Sequence, residues 1–137
     1  MSSASMAERS ALVTAVLDLE ERGGAEPLHF ASPADLNGLV PIAAHCHDNA
    51  RRFCEANPGY TAVGGWIVLS RDASGSYYLV RHSVVCDPAG KLICVTLAAS
   101  DQHTLAGPFV RHDPQWGDFD SFGSHIIFAA GIGVLAS

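Results

Sequence analysis

Positive charge is scarce in this chain: 8 Lys and Arg stand against 14 Asp and Glu among 137 residues, a formal charge of -6. Proteins that bind nucleic acid present a basic stripe or patch. Here the only basic doublet is Arg51-Arg52, so nucleic acid is not expected as a partner. Long apolar runs are missing as well. Ile126 to Ala136 is interrupted by Gly131 and Gly133 and falls short of the about 20 residues that cross a bilayer as a helix, so no membrane partner is expected. The opening Met1-Ser2-Ser3-Ala4-Ser5-Met6 lacks the basic start and apolar stretch of an export signal, which predicts a cytoplasmic protein. In that compartment Cys46, Cys54, Cys86 and Cys94 are expected as free thiols. No Cys-x-x-Cys pair, phosphate-binding glycine loop or Gly-x-Ser-x-Gly elbow occurs, and neither a cofactor nor a metal is expected.

What is present is a chain with 48% hydrophobic residues, enough for one domain with a core of its own. Its pattern predicts an α+β fold: a small antiparallel sheet packed against an N-terminal helix and a cysteine-bearing helix. Residues 1–41 read as helix and loop, 42–97 as a helix plus hairpin core, and 98–137 as an irregular C-terminal segment. Ser5 with Glu8 three residues on forms a capping box, Leu12, Val13, Val16 and Leu17 make the apolar stripe, and Gly23-Gly24 stops the helix near Arg22. From Ala25 to Pro41, prolines and glycine predict a loop with one helical turn over Pro33–Leu36, a candidate lid or cleft wall. The second helix is predicted over His45–Ala56 and ends at Asn57-Pro58-Gly59.

Strands follow at Ala62–Ser70, Tyr77–Cys86 and Lys91–Leu97, the first two separated by a polar turn over Arg71–Ser76. Gly64-Gly65 predicts a bulge or a close backbone approach. Asp87-Pro88-Ala89-Gly90 predicts a type I turn closed by a left-handed glycine. With that turn Asp87 faces Lys91, Cys86 faces Leu92, Val84 faces Cys94 and His82 faces Thr96. Beyond position 97, Trp116, Phe119 and Phe122 are expected as anchors, and Ile126-Ile127-Phe128 as a strand or a turn of buried helix.

The chemistry-bearing residues are few. Cys46 falls on the first turn of the second helix, on one face with Ala50, Phe53 and Cys54. Bare amides and the helix dipole at that end stabilise a thiolate and can hold an oxyanion. The plainer reading makes Cys46 a small core residue like Cys54. His82 shares its strand face with Val84, Cys94 and Thr96, with Cys94 diagonally across at roughly 7 Å. A neutral imidazole there could take the proton of Cys46 if the helix packs on that face. Equally, it could be a satisfied core histidine. Neighbouring helical residues diverge by about 100°, so His45, Cys46 and His47 do not chelate one ion readily. A redox pair of Cys94 with Cys46 or Cys86 stays open. Asn49 serves as a cap, a loop orienter or a substrate contact, and His47 faces solvent or the cleft mouth. Trp66 and Tyr78 are expected as substrate walls.

Cys46-His47-x-Asn49 opening a helix, Gly65-Trp66 on a strand, His82-Ser83-Val84-Val85, Asp87-Pro88-x-Gly90 and a strand ending in Thr96 together resemble the transglutaminase-like and NlpC/P60-like branch of the papain-like fold. They are also similar to small bacterial proteins of uncertain function. The resemblance covers about Ile42 to Thr96. It implies a cysteine-dependent hydrolase or acyl-transfer enzyme acting on a small-molecule or peptide amide through a thioester. Carried over, Cys46 is the nucleophile, His82 the general base and position 94 the orienting residue. The family's polar residue is replaced there by Cys94, so the orienting role is weakened or passes to Thr96. That departure sustains the rival expectation, a non-catalytic module that binds a small molecule or peptide in a degenerate site. Oligomeric state is left open.

Overall fold

The computed structural model describes residues 3–42, 45–70, 76–96, 107–129 and 133–136. The predicted turn over Arg71–Ser76 lies outside them but for Ser76, which opens a strand; Leu97, the last residue of the third predicted strand, and the stretch 98–106 also lie outside. The elements are α1 (Met6–Glu21), β1 (His29–Phe30), α2 (Cys46–Ala56), β2 (Thr61–Ser70), β3 (Ser76–Cys86), β4 (Leu92–Cys94), β5 (Phe109–Arg111), β6 (His125–Ala129) and β7 (Gly133–Ala136). The protein is thus mixed α+β, with two α-helices and seven hydrogen-bonded strands among the described residues. None of the described helices is long and apolar enough to cross a membrane. Two compact units share the chain. Met1–Ala25, Gly65–Arg81 and Gly107–Ser137 form the first, Glu26–Gly64 and His82–Ala106 the second, and β2 and β3 run from one into the other.

In the first unit α1 starts as its sequence predicts. The Ser5 hydroxyl accepts from the Glu8 N–H at 3.1 Å and the Glu8 carboxylate accepts from the Ser5 N–H at 2.9 Å. These bonds hold the Glu8 carboxyl below its usual range and satisfy two amides that the first turn leaves bare. Ser5→Ala is expected to lower stability by about 1 kcal/mol, read as a shift of the urea midpoint. Leu12, Val13 and Val16 of α1 are buried with Trp66, Val68, Leu79, Val110, Phe122 and Ile126 in one core. β5 pairs antiparallel with β2 (Trp66↔Val110), and β6 pairs antiparallel with β3 (Leu79↔Ile126) and with β7. At Gly65 a Cβ would come within 2.4 Å of both the Phe109 ring and the Val110 carbonyl, so the double glycine marks a close approach of β5.

The predicted irregular C-terminal segment therefore carries three strands, with 3-10 turns at Pro114–Trp116 and Phe119–Phe122. Ile126-Ile127-Phe128 lies in a strand; so short an apolar run has no periodicity to separate strand from helix.

In the second unit the β3–β4 hairpin has the predicted register, Cys86↔Leu92 and Val85↔Ile93. Gly90 is left-handed at φ 93, and the Asp87 carboxylate accepts from the Ala89 and Lys91 amides at 2.9 and 2.8 Å. α2 buries Ala50 and Phe53 against Val85 and Val95 and stops where the Asn57 side chain donates to the Phe53 carbonyl at 2.8 Å. β1 pairs in parallel with β4, so the sheet is mixed where an antiparallel one was expected. Two residues, His29 and Phe30, carry no strand pattern that could have been read.

Candidate active site

Side chains two apart on a strand share a face. Val85 packs with Ala50 and Phe53 of α2, and the Ser83 hydroxyl meets His47 Nδ1 in a short contact. α2 therefore covers the Ser83/Val85 face of the hairpin, where Ile93 and Val95 complete an apolar bed for Phe53. His82, between Ser83 and the end of the first unit, points to the opposite face. There its Nε2 lies 3.2 Å from Cys94 Sγ, the diagonal neighbour that the register predicts.

The His82–Cys94 pair is almost sealed from solvent, with 4% and 2% exposure. Burial, aided by the nearby His47, pushes the His82 pKa down to about 4 from 6.5. At neutral pH the imidazole is uncharged, with a lone pair to offer a thiol. Cys46 is half-buried, and among the described residues no hydrogen bond joins it to His82. A Cys46–His82 dyad needs the helix on the His82 face; in the structure its apolar side chains find their bed on the other. All four cysteines are free thiols, and burial pushes the Cys54 thiol up.

Asn49 is the most completely used polar side chain at this end of α2. It has no exposed surface. Its carbonyl oxygen accepts from the Ile42 N–H at 3.0 Å, and its amide donates to the Ile42 carbonyl at 2.9 Å and to Thr96 Oγ1 at 3.0 Å. Of the three roles open to it, loop orientation is the one drawn here, with Thr96 fastened to the same amide. His47, expected at solvent or the cleft mouth, is half-buried against Ser83.

Trp66, expected as a substrate wall, has no exposed surface and belongs to the core of the first unit. Its indole N–H donates to His112 Nδ1 at 3.2 Å. Tyr78 is half-buried on β3 with its ring 5.3 Å from that of His125. Sequence reasoning gave Ser83 no role of its own, and it read His112-Asp113 near Trp116 as a turn sooner than as a pocket wall. Strand alternation could have flagged Ser83, since Val85 two residues on is an obvious core residue, but His112 sits in a Gly- and Pro-rich stretch without period. Among the described residues no cluster of three or more His, Cys, Asp or Glu is arranged to hold a metal ion. No family model, no curated protein and no solved structure matches this chain.

Proposed function

We propose that this protein is a cysteine-dependent hydrolase or acyl-transfer enzyme that works through His82 and the thiol it holds, Cys94. The 3.2 Å contact between His82 Nε2 and Cys94 Sγ carries the proposal. A neutral imidazole at hydrogen-bond distance from a thiol is a base in position. As the sulfur attacks an amide or ester carbonyl, Nε2 takes the thiol proton. The C–N or C–O bond then breaks, the leaving amine or alcohol takes that proton back, and a thioester is left on Cys94. Water or a second amine resolves it, again deprotonated by His82. Relative to the sequence-based assignment the nucleophile moves from Cys46 on a helix to Cys94 on β4, which departs from the papain-like order that the motifs resemble. A second reading, a binding module without turnover, is favoured by one observation: both partners are nearly wholly buried.

Iodoacetamide alkylation, mapped to each cysteine by mass spectrometry from pH 3 to 9, decides between them. The expected result is Cys94 alkylation that falls away in acid as His82 protonates near pH 4 and slows about a hundredfold in His82→Ala, the order of a lost general base. If Cys46 alone responds to His82→Ala, His82 serves Cys46 and Cys94 is its orienting residue. If neither thiol responds, the enzyme proposal fails and the binding module stands.

A further inference from the structure

Asn37, Asn49 and Asn57 are the asparagines of this chain, and their surroundings set how long each side-chain amide survives. An asparagine loses that amide when the backbone nitrogen of the next residue attacks its Cγ. Glycine in the next position leaves the attack uncrowded, because it has no Cβ. Asn57 precedes Pro58, whose nitrogen has no proton to give up. Asn49 precedes Ala50 inside α2, and its buried side chain is held by the bonds to Ile42 and Thr96. Asn37 precedes Gly38 in an exposed turn, and the place of a Cβ on Gly38 is open space. Both residues are left-handed, at φ 52 and 90.

That amide fastens a strap. Asn37 Nδ2 donates to Asn57 Oδ1 at 2.9 Å, and Asn57 donates in turn to the Phe53 carbonyl in the last turn of α2 at 2.8 Å. The strap is segment 31–42. It leaves the sheet where the Ala31 N–H donates to the Cys94 carbonyl at 3.0 Å, and it ends at Ile42, bonded to Asn49. Leu36 and Leu39 rest between these ends on the core of Ala50 and Phe53. We propose that Asn37 is a self-modifying site: it deamidates through Gly38, and the acid that results unpins segment 31–42 from the end of α2. The Gly38 nitrogen bonds to Asn37 Cγ, the Cγ–Nδ2 bond breaks, and Nδ2 leaves as ammonia with the Gly38 amide proton. Water then opens the cyclic imide at either carbonyl, giving aspartate or isoaspartate. Neither product has an N–H for Asn57 Oδ1. Each sets a carboxylate against that oxygen, at the negative end of the α2 dipole. Attack requires the Asn37 side chain to leave Asn57 first, so the pin slows its own loss. None of these atoms takes part in the Cys94 chemistry.

Warm incubation of the protein at pH 8, followed by peptide mapping with mass spectrometry, tests this. The expected result is conversion of Asn37 to aspartate and isoaspartate while Asn49 and Asn57 stay intact. In Asn57→Ala the conversion should quicken about three- to tenfold, the population shift that goes with one lost hydrogen bond. Hydrogen–deuterium exchange of the converted protein should be faster over segment 31–42 and unchanged over the β3–β4 hairpin. Because Asn57→Ala also strips the cap of α2 and could fail to fold, Asn37→Asp supplies a second measurement. Its exchange over segment 31–42 should rise above that of freshly prepared wild type. An Asn37 that stays intact while the urea-unfolded chain converts would overturn the proposal. So would a conversion rate that folded Asn57→Ala leaves unchanged, or exchange over segment 31–42 that neither conversion nor Asn37→Asp alters.

Discussion

Asn49→Ala is expected to lower the unfolding free energy by about 2–4 kcal/mol, in the range for a buried polar side chain whose partners are left unpaired. Three bonds go at once: those to the Ile42 N–H, the Ile42 carbonyl and the Thr96 hydroxyl. The fall in urea midpoint at pH 7 measures it. Asn49→Asp separates hydrogen bonding from mere volume. A carboxylate can still accept from the Ile42 N–H, but it cannot donate to the Ile42 carbonyl and sets negative charge against it. Burial and that carbonyl raise the new carboxyl's folded-state pKa, so stability is lost as pH rises through the carboxyl range. Asn49→Asp should therefore be the weaker variant at pH 7 and gain on Asn49→Ala as the solution is acidified. A midpoint gap between the two that ignores pH would mean that the side chain fills space and orients nothing.

The second large effect runs with the opposite sign and belongs to His82. Its pKa falls from 6.5 in the unfolded chain to about 4 in the folded one. The unfolded state then binds the proton first as pH falls, so the stabilisation is complete above 6.5 and drains away between 6.5 and about 4. A displacement of that size amounts to roughly 3 kcal/mol at full development, a large share of the roughly 5–15 kcal/mol of an ordinary domain. Urea titrations at pH 7, 6, 5 and 4 should show the loss. In His82→Gln, which has no proton to gain, the curve over that window should flatten even if the variant starts lower. A slope that His82→Gln leaves intact would place the acid sensitivity elsewhere.

Much of the fold was legible in the sequence where one signal settles one local choice. The Ser5–Glu8 box, the double glycine after α1, the Asp87–Gly90 turn and the hairpin register are all of that kind. The register even placed Cys94 diagonal to His82, and it is that thiol the imidazole meets. What the sequence did not disclose was the side of the hairpin on which α2 lies. His82-Ser83-Val84-Val85 is buried at all four positions, so neither face of the strand announces itself as solvent or core. In such a stretch alternation says which residues travel together and nothing about what covers them. The parallel β1, two residues long, and β5, three residues long, are set by tertiary pairing and leave no local trace.

The division of the chain into pieces also bears on how it is made. The second unit is assembled from two stretches, and the first from three, the last of which starts at Gly107. Ala4, just before the opening helix, and Arg9 within it donate to the carbonyls of Ser121 and Phe122. Contacts across such spans are slow to find, because the loop between them must be closed before they repay it. During synthesis the bond from Arg9 to Phe122 must therefore wait until more than a hundred further residues have been added, and the apolar stripe of α1 finds its first core partners only once Trp66, Val68 and Leu79 are made. The hairpin and α2 of the second unit have all their partners earlier. Vectorial folding from the ribosome thus favours the His82–Cys94 half first, and the early helix is the segment that most needs shielding meanwhile.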